Sequence, residues 1–188
     1  MGSKLDRRKK YTRKVLRESL MKRMQDKPLS SITIKEVCEL ADINRSTFYS
    51  HYTDLYDLLY QIEDDIIEDM NQTLSAYNYN ENEEAIQMTV KLLEYLAKNH
   101  ESCQTLFSEH GDPNFQKKVM MLAQSHLLKS LMVNDHHVPH YSEYLALYIA
   151  NGSIIVVQHW LKNGLKEPPN EVAELIIKLA NKGLSSFQ

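Results

Sequence analysis

The chain has 188 residues, 43% hydrophobic and 25% charged, which suits one compact domain, or one large and one small, and excludes a disordered tail. Two cysteines far apart, Cys38 and Cys103, exclude a disulfide miniprotein, and the N-terminus runs straight into charge with no apolar h-region, so a reducing cytoplasm is expected. The net charge of −3 hides an asymmetry: residues 1–60 carry 13 Lys and Arg against 8 Asp and Glu (+5), and residues 61–188 carry 9 against 17 (−8). A basic first third on an acidic body points to a polyanionic partner for the first part alone.

Only 5 Gly and 5 Pro, abundant Leu, Met, Lys, Glu and Gln, and no long alternating β-branched run predict an all-α chain. A first helix is expected from about Thr12 to Gln25, with Leu16, Leu20 and Met24 at i, i+4, i+8, ended by Asp26-Lys27-Pro28. Around its start, Arg7, Arg8, Lys9, Lys10, Arg13 and Lys14 form a basic arm suited to electrostatic steering or minor-groove contact. The next helix opens with a capping box, Thr33-Ile-Lys-Glu36, and shows an apolar face of Ile34, Val37, Cys38 and Ala41. It is too short to stand alone and must pack on its neighbours. After Asp42-Ile43, Asn44 is placed as the N-cap of a third short helix, Arg45 to Tyr52.

Two short helices joined by a tight turn, the second carrying Arg, Ser, Thr, Tyr and His, read as a helix-turn-helix with its reader helix last. Asn44, Arg45, Ser46 and Thr47 fall in the first turn, where short polar side chains and open N–H groups approach phosphates and base edges. Arg45 is the candidate for bidentate contact with guanine. Phe48 and Tyr52, at i and i+4, face inward, and Tyr49 and His51 are directed to the sugar-phosphate backbone. Thr33 and Lys35, at the start of the preceding helix, complete the DNA-binding set.

The stretch TIKEVCELADINRSTFYSHY, Thr33 to Tyr52, resembles the signature of the TetR family of bacterial transcription regulators. That signature has a Thr-started helix, an Ala-Gly-Val-Ser-like turn and a Thr-aromatic-Tyr-x-His-aromatic reader. Two positions depart from it: Asp42 stands where Gly is usual, and Leu55 stands where a Lys usually grips a phosphate at the start of the next helix. Asp tolerates left-handed geometry better than most residues. The lost Lys shifts the phosphate grip to Tyr49, His51 or the basic arm. Farther along, SEHGDPNF and HWLKNG are similar to the C-terminal region of a TetR subgroup that includes regulators of dihydroxyacetone kinase operons.

Behind the reader, Thr53-Asp54 is placed as the cap of a long helix, Leu55 to about Leu74, with Leu55, Leu58, Leu59, Ile62, Ile66, Met70 and Leu74 in one stripe. Its outer Glu63, Asp64, Asp65, Glu68 and Asp69 read as a face that discourages sticking to phosphate, not as a metal cage. A polar loop at Tyr77 to Glu83 precedes a helix from about Glu84 to Asn99 with Ile86, Val90, Leu93 and Ala97 on one side. Gly111-Asp112-Pro113 breaks the chain before a helix carrying Phe115, Val119, Leu122 and His126. From about Ser142 to Asn163 a helix is apolar nearly all round, so burial on several sides is expected; the near-apolar run Tyr144 to Val157, broken by Asn151-Gly152-Ser153, falls short of the roughly 18 residues of a bilayer span. After Pro168-Pro169, Asn170 is the expected cap of a last helix.

The expected organisation is a helix-turn-helix domain over residues 1–54 and a helical effector-binding and dimerisation domain over residues 55–188. In the family the last two long helices form a four-helix dimer interface, to which Ile155, Trp160, Val172, Leu175, Ile176 and Leu179 are assigned here. Family members commonly enclose a small effector among the middle helices; the residues placed to line such a cavity are Tyr95, Cys103, Phe107, Met120, Met121, His126, Tyr144 and Tyr148. His136, His137 and His140 with Asp135 read as a polar loop, not a metal site. No cofactor or metal is implied, and no P-loop, Gly-rich dinucleotide turn, His-Glu-x-x-His or Gly-x-Ser-x-Gly suggests an enzyme. The resemblance implies a homodimeric repressor on a near-palindromic operator, released by a small effector. The alternative is a co-regulator or activator controlled by a protein partner.

Overall fold

A computed structural model of the chain describes residues 4–76, 82–134 and 142–184, and every regular element in them is helical. In order these are α1 (Lys4–Asp26), a 3-10 turn (Leu29–Ser31), α2 (Ile34–Ala41), α3 (Arg45–Tyr49), α4 (Leu55–Ser75), α5 (Asn82–Lys98), α6 (His100–Leu106), α7 (Pro113–Asn134), α8 (Ser142–Lys162) and α9 (Pro169–Leu184). They pack as two compact units, Met1–Ile66 with Thr105–Asp112, and Ile67–Gln104 with Pro113–Gln188. The first half of α4 therefore packs with the helices that precede it.

In the first unit, the stripe Leu16, Leu20 and Met24 of α1 is fully buried, and α1 packs on α2. Val37 and Cys38 of α2, Phe48, Tyr52, and Leu55, Leu58, Leu59, Ile62 and Ile66 of α4 are buried with it, as are Met21, Leu29, Ile32 and Leu106. Helix α1 begins at Lys4, two turns before the expected start at Thr12. No Gly or Pro interrupts that stretch, Lys and Arg are good helix formers, and Asp6 lies in the first turn, where the helix dipole favours a negative charge. The basic arm is thus the amino end of a helix. Arg17 ties α1 to α4, donating to the Gln61 carbonyl at 3.0 Å and to the Asp65 carboxylate. Gly111 lies against the backbone of Leu106, where a Cβ would fall 2.0 Å from the carbonyl oxygen, so no other residue fits without the turn moving.

In the second unit, α5 packs along α9 and α7 along α8. The most deeply buried face of α5 carries Ala85, Met88, Thr89, Leu93 and Leu96, while the expected Ile86, Val90 and Ala97 are half-buried beside it. A wide apolar face leaves its centre to the packing partner, which the stripe alone does not specify. Helix α6, seven residues long, was not anticipated: it is too short to show a period, and it is held by Cys103 in the core and by a 3.1 Å hydrogen bond between His100 Nε2 and the Leu161 carbonyl. Helix α8 ends in a Schellman motif, with Leu165 N–H donating to the Trp160 carbonyl at 3.1 Å, Gly164 N–H to the Leu161 carbonyl at 3.3 Å, and Gly164 at φ +81. Helix α9 starts at Pro169, and the Pro168 carbonyl, not the Asn170 side chain, accepts its first hydrogen bonds. Proline suits the first helical position, where its missing N–H costs nothing.

Helix α8 departs from the expectation of burial on several sides. Tyr144, Leu147, Tyr148 and Ile155 are exposed, Tyr148 to 80%. Its apolar character also runs farther than the sequence stretch suggested: Glu143–Lys162 is long and apolar enough, by length and composition, to cross a membrane.

Candidate nucleic-acid interface

The candidate residues lie at the two ends of α2, along α3 and just after it. At the start of α2, the Thr33 hydroxyl accepts from the Glu36 N–H at 3.2 Å and donates to Glu36 Oε2 at 2.9 Å, while the Thr33 N–H donates to the same carboxylate at 2.8 Å. Thr33 therefore serves as the cap and stays exposed. The Lys27 ammonium donates to Glu36 Oε1 at 2.6 Å, and this bond, with those from Thr33, holds the Glu36 carboxyl down at about 2. Lys35, the second residue of α2, is exposed and lies 3.7 Å from the Glu39 carboxylate.

At the end of α2, Ile43 N–H donates to the Cys38 carbonyl at 2.9 Å and Asp42 N–H to that of Glu39 at 3.4 Å, with Asp42 left-handed at φ 53 and ψ 44. This is the Schellman arrangement in which glycine is usual. It makes the tight turn that aims α3.

Helix α3 is only five residues, Arg45–Tyr49, shorter than the expected run to Tyr52. The Ser50 hydroxyl donates to the Thr47 carbonyl at 2.7 Å and the His51 N–H to that of Phe48 at 2.9 Å, closing the helix in a tighter turn. Asn44 occupies the N-cap position, and its carbonyl accepts from Thr47 and Phe48, but its side chain makes no capping bond. Phe48 and Tyr52 are buried, with ring centroids 5.7 Å apart. They anchor the reader from behind. Asn44, Arg45, Ser46 and Tyr49 are exposed and Thr47 half-buried, and the Tyr49 ring stands edge-on to Phe48 at 5.6 Å.

Two perturbed groups report the local field. Burial pushes the Cys38 thiol up, and the positive charge of Arg45 works against it. His51, half-buried after the reader, is pushed below the ordinary imidazole range, first by burial and then by the positive charges of Arg13 and Lys9 on α1. Leu55 is buried, so it serves the core where a lysine was expected from the resemblance. The amino end of α4 is occupied by its own carboxylates: Asp54 Oδ1 accepts from the Asp57 N–H at 2.8 Å, and Asp57 Oδ2 accepts from the Thr53 N–H at 2.8 Å. The Thr53 N–H and the Gln61 amide hold the Asp57 carboxyl below its usual range.

Residues 83–182 match a TetR-family model described as a transcriptional regulator C-terminal region. The chain belongs to the TetR family of transcriptional regulators. Among known proteins it is similar to an uncharacterised HTH-type transcriptional regulator, YxbF, of Bacillus subtilis (strain 168), 23% identical over 181 residues, covering 89% of this chain and 44% of that protein. The chain thus spans less than half the length of that curated relative. Among solved structures, it shares its fold with the dihydroxyacetone kinase operon activator DhaS (20% identity, TM-score 0.61, 94% of this chain and 98% of that one). It also shares it with the transcriptional regulator FadR from Bacillus subtilis in complex with stearoyl-CoA (14% identity, TM-score 0.63, 88% and 95%).

The other expected positions of this TetR-family chain are scattered. Cys103 is fully buried, and burial pushes its thiol up to about 12, which removes it as a nucleophile. His126 is buried with Nε2 3.2 Å from Asn71 Oδ1. Tyr95, Phe107 and Met120 are half-buried, and Met121, Tyr144 and Tyr148 are exposed, so these residues do not all line one interior cavity. Of the dimer set, Ile155, Leu175 and Leu179 are exposed, whereas Trp160, Val172 and Ile176 are buried in their own chain, Trp160 donating to the Glu167 carbonyl at 2.8 Å. Tyr148 and Ile155 line a shallow depression on α8 with Leu147, Asn151 and Gly152. Leu147 was missed; the all-round apolar pattern of α8 was its signal. Asp135, His136, His137 and His140 lie outside the described residues.

Proposed function

We propose that this regulator binds double-stranded DNA as a two-fold dimer, with α3 of each copy in successive major grooves of a near-palindromic operator. The observation that carries the reading is the two-sided reader: Arg45, Ser46 and Tyr49 exposed on a helix whose Phe48 and Tyr52 are locked in the core. Asn44, Thr47, Lys35, Thr33 and His51 supply the flanking polar contacts, and Arg45 reads guanine. Residues 1–54 act as the DNA-binding domain and residues 55–188 as the effector-binding and dimerisation domain. The exposed Ile155, Leu175 and Leu179 support dimerisation, because an apolar surface of this kind is costly to leave in water.

The regulator acts as a repressor, released when a small effector binds the acidic body better in a conformation whose readers are wrongly spaced. The stearoyl-CoA held by the FadR relative makes acyl-CoA thioesters the first compounds to screen. The decisive experiment is a fluorescence-anisotropy titration against DNA from upstream of the gene, with Arg45→Ala as comparison. A loss of about 1–3 kcal/mol on that DNA and little on a scrambled duplex is expected. Equal binding to both duplexes by the unaltered protein would remove the sequence-reading role.

A further inference from the structure

The helix-turn-helix itself carries no net charge. Residues 27–52 hold three cations, Lys27, Lys35 and Arg45, against three carboxylates, Glu36, Glu39 and Asp42, so the loss of one cation here leaves the motif negative. Of the three carboxylates, Glu36 is the one that α2 uses to start. Its Oε2 closes the capping box, accepting from the Thr33 N–H at 2.8 Å and from the Thr33 hydroxyl at 2.9 Å. It lies in the first turn of α2, where the helix dipole favours a negative charge. A phosphate brought to that end is repelled by the same charge. The other oxygen, Oε1, accepts from Lys27 Nζ at 2.6 Å, and both side chains are half-buried, so the pair is held close. Lys27 comes from the link after α1, nine residues back along the chain. The Lys35–Glu39 pair on α2 is looser, 3.7 Å apart and exposed on both sides.

We infer that Lys27 serves DNA binding through Glu36: its ammonium cancels the capping carboxylate that α2 needs and that the DNA backbone would otherwise meet, without contacting the DNA itself. The inference rests on the DNA-binding reading above, in which Thr33 and Lys35 at the start of α2 meet that backbone. Two opposite charges this close act on a phosphate as a nearly neutral pair. The carboxylate alone acts as a full charge within a Debye length of about 10 Å at 0.1 M salt. Without Lys27 it does not escape by taking up a proton at neutral pH, because the two Thr33 donors still favour its charged form. Glutamine in its place keeps the capping box and carries no charge. Cap and charge are therefore separable by substitution.

The test uses the full chain at neutral pH and a labelled duplex of mixed sequence, about 30 base pairs long, titrated by fluorescence anisotropy at about 0.1 M salt. Lys27→Met is expected to bind about fivefold more weakly than the unaltered protein, and Lys27→Arg nearly as well as it. Lys22→Met removes the same charge from an exposed position of α1 outside the DNA-binding set, and should lose much less. The deciding variant is Lys27→Met/Glu36→Gln, expected to return to within about twofold of the parent, since the pair goes as a unit. Its urea midpoint should stay at or below that of Lys27→Met, because glutamine gives up the dipole interaction, so a return of binding is not a return of folding. A double variant as weak as Lys27→Met would mean that Lys27 touches the DNA directly. Equal losses in Lys27→Met and Lys22→Met would reduce the effect to net charge, and a midpoint that recovers together with binding would reduce it to stability. Each of these, or an unweakened Lys27→Met, overturns the inference and leaves DNA binding in place. No binding of the unaltered protein to any duplex would overturn the DNA-binding reading itself, and the inference with it.

Discussion

The reader helix α3 and the long helix α8 carry similar aromatic and aliphatic residues and dispose of them in opposite ways. In α3 and the turn after it, Phe48 and Tyr52 go inward and only Tyr49 is left in water; in α8, Tyr144, Leu147, Tyr148 and Ile155 all point out. The contrast follows from length. A five-residue helix cannot hold itself and is held by Phe48 and by Tyr52 just after it, whereas 21 residues supply enough internal hydrogen bonds to leave a face open. A small polar surface is therefore bound to a rigid core, and a broad apolar one stays exposed.

The sharpest way to break this contrast is to remove the anchor. Phe48→Ala is expected to cost about 3–5 kcal/mol of stability, seen as a lower urea midpoint, because the ring is fully buried. An unchanged midpoint would mean that the reader is not held from behind as described. The opposite test charges the open face: Ile155→Asp should leave the urea midpoint nearly unchanged, yet weaken self-association by about a hundredfold, as a charge buried against apolar neighbours costs several kcal/mol. Sedimentation velocity would show the monomer appearing. If the variant remains as associated as the parent, α8 is not the covered surface.

Smaller effects sharpen the reader side. Asp42 is left-handed at φ 53, a conformation that strains a residue with a Cβ, so Asp42→Gly should raise stability by about 1 kcal/mol in chemical denaturation. A loss instead would show that the Asp42 side chain does more than tolerate the turn. The smallest effect is at the capping box. Because the Glu36 carboxyl is held at about 2, below its ordinary 4.5, the stabilisation from its ionised form is present above 4.5 and lost as pH falls towards 2. Lys27→Met should raise the Glu36 titration midpoint measured by NMR and move the acid loss of α2 to higher pH. No change would assign the depression to Thr33 alone.

Much of the first unit was legible beforehand. The Thr33–Glu36 box, the apolar pair Val37 and Cys38 and the i, i+4 anchors Phe48 and Tyr52 all declare themselves through local spacing, and the structure has each in its expected role. The extent of α1 was less legible, since basic residues read as an arm when they are judged by charge and as helix when judged by propensity. The end of α3 was missed because Ser50 competes for backbone carbonyls only once the chain has turned.

What the residues determined alone is what depends on near neighbours in the chain: the all-helical fold, the caps, the polar first turn of the reader and the family signature. Tertiary structure decided which side of an apolar helix is covered. Trp160, Val172 and Ile176 look no different in sequence from Ile155, Leu175 and Leu179, yet the first three are buried in their own chain and the others are exposed. The same holds for Arg17 and Asp65, which lie 48 residues apart and pair only because α1 and the first half of α4 pack into one unit. Hydrogen-bonding periodicity acts over a few residues and can be read along a chain, while burial and charge fields act through space and exist only once the helices have been placed.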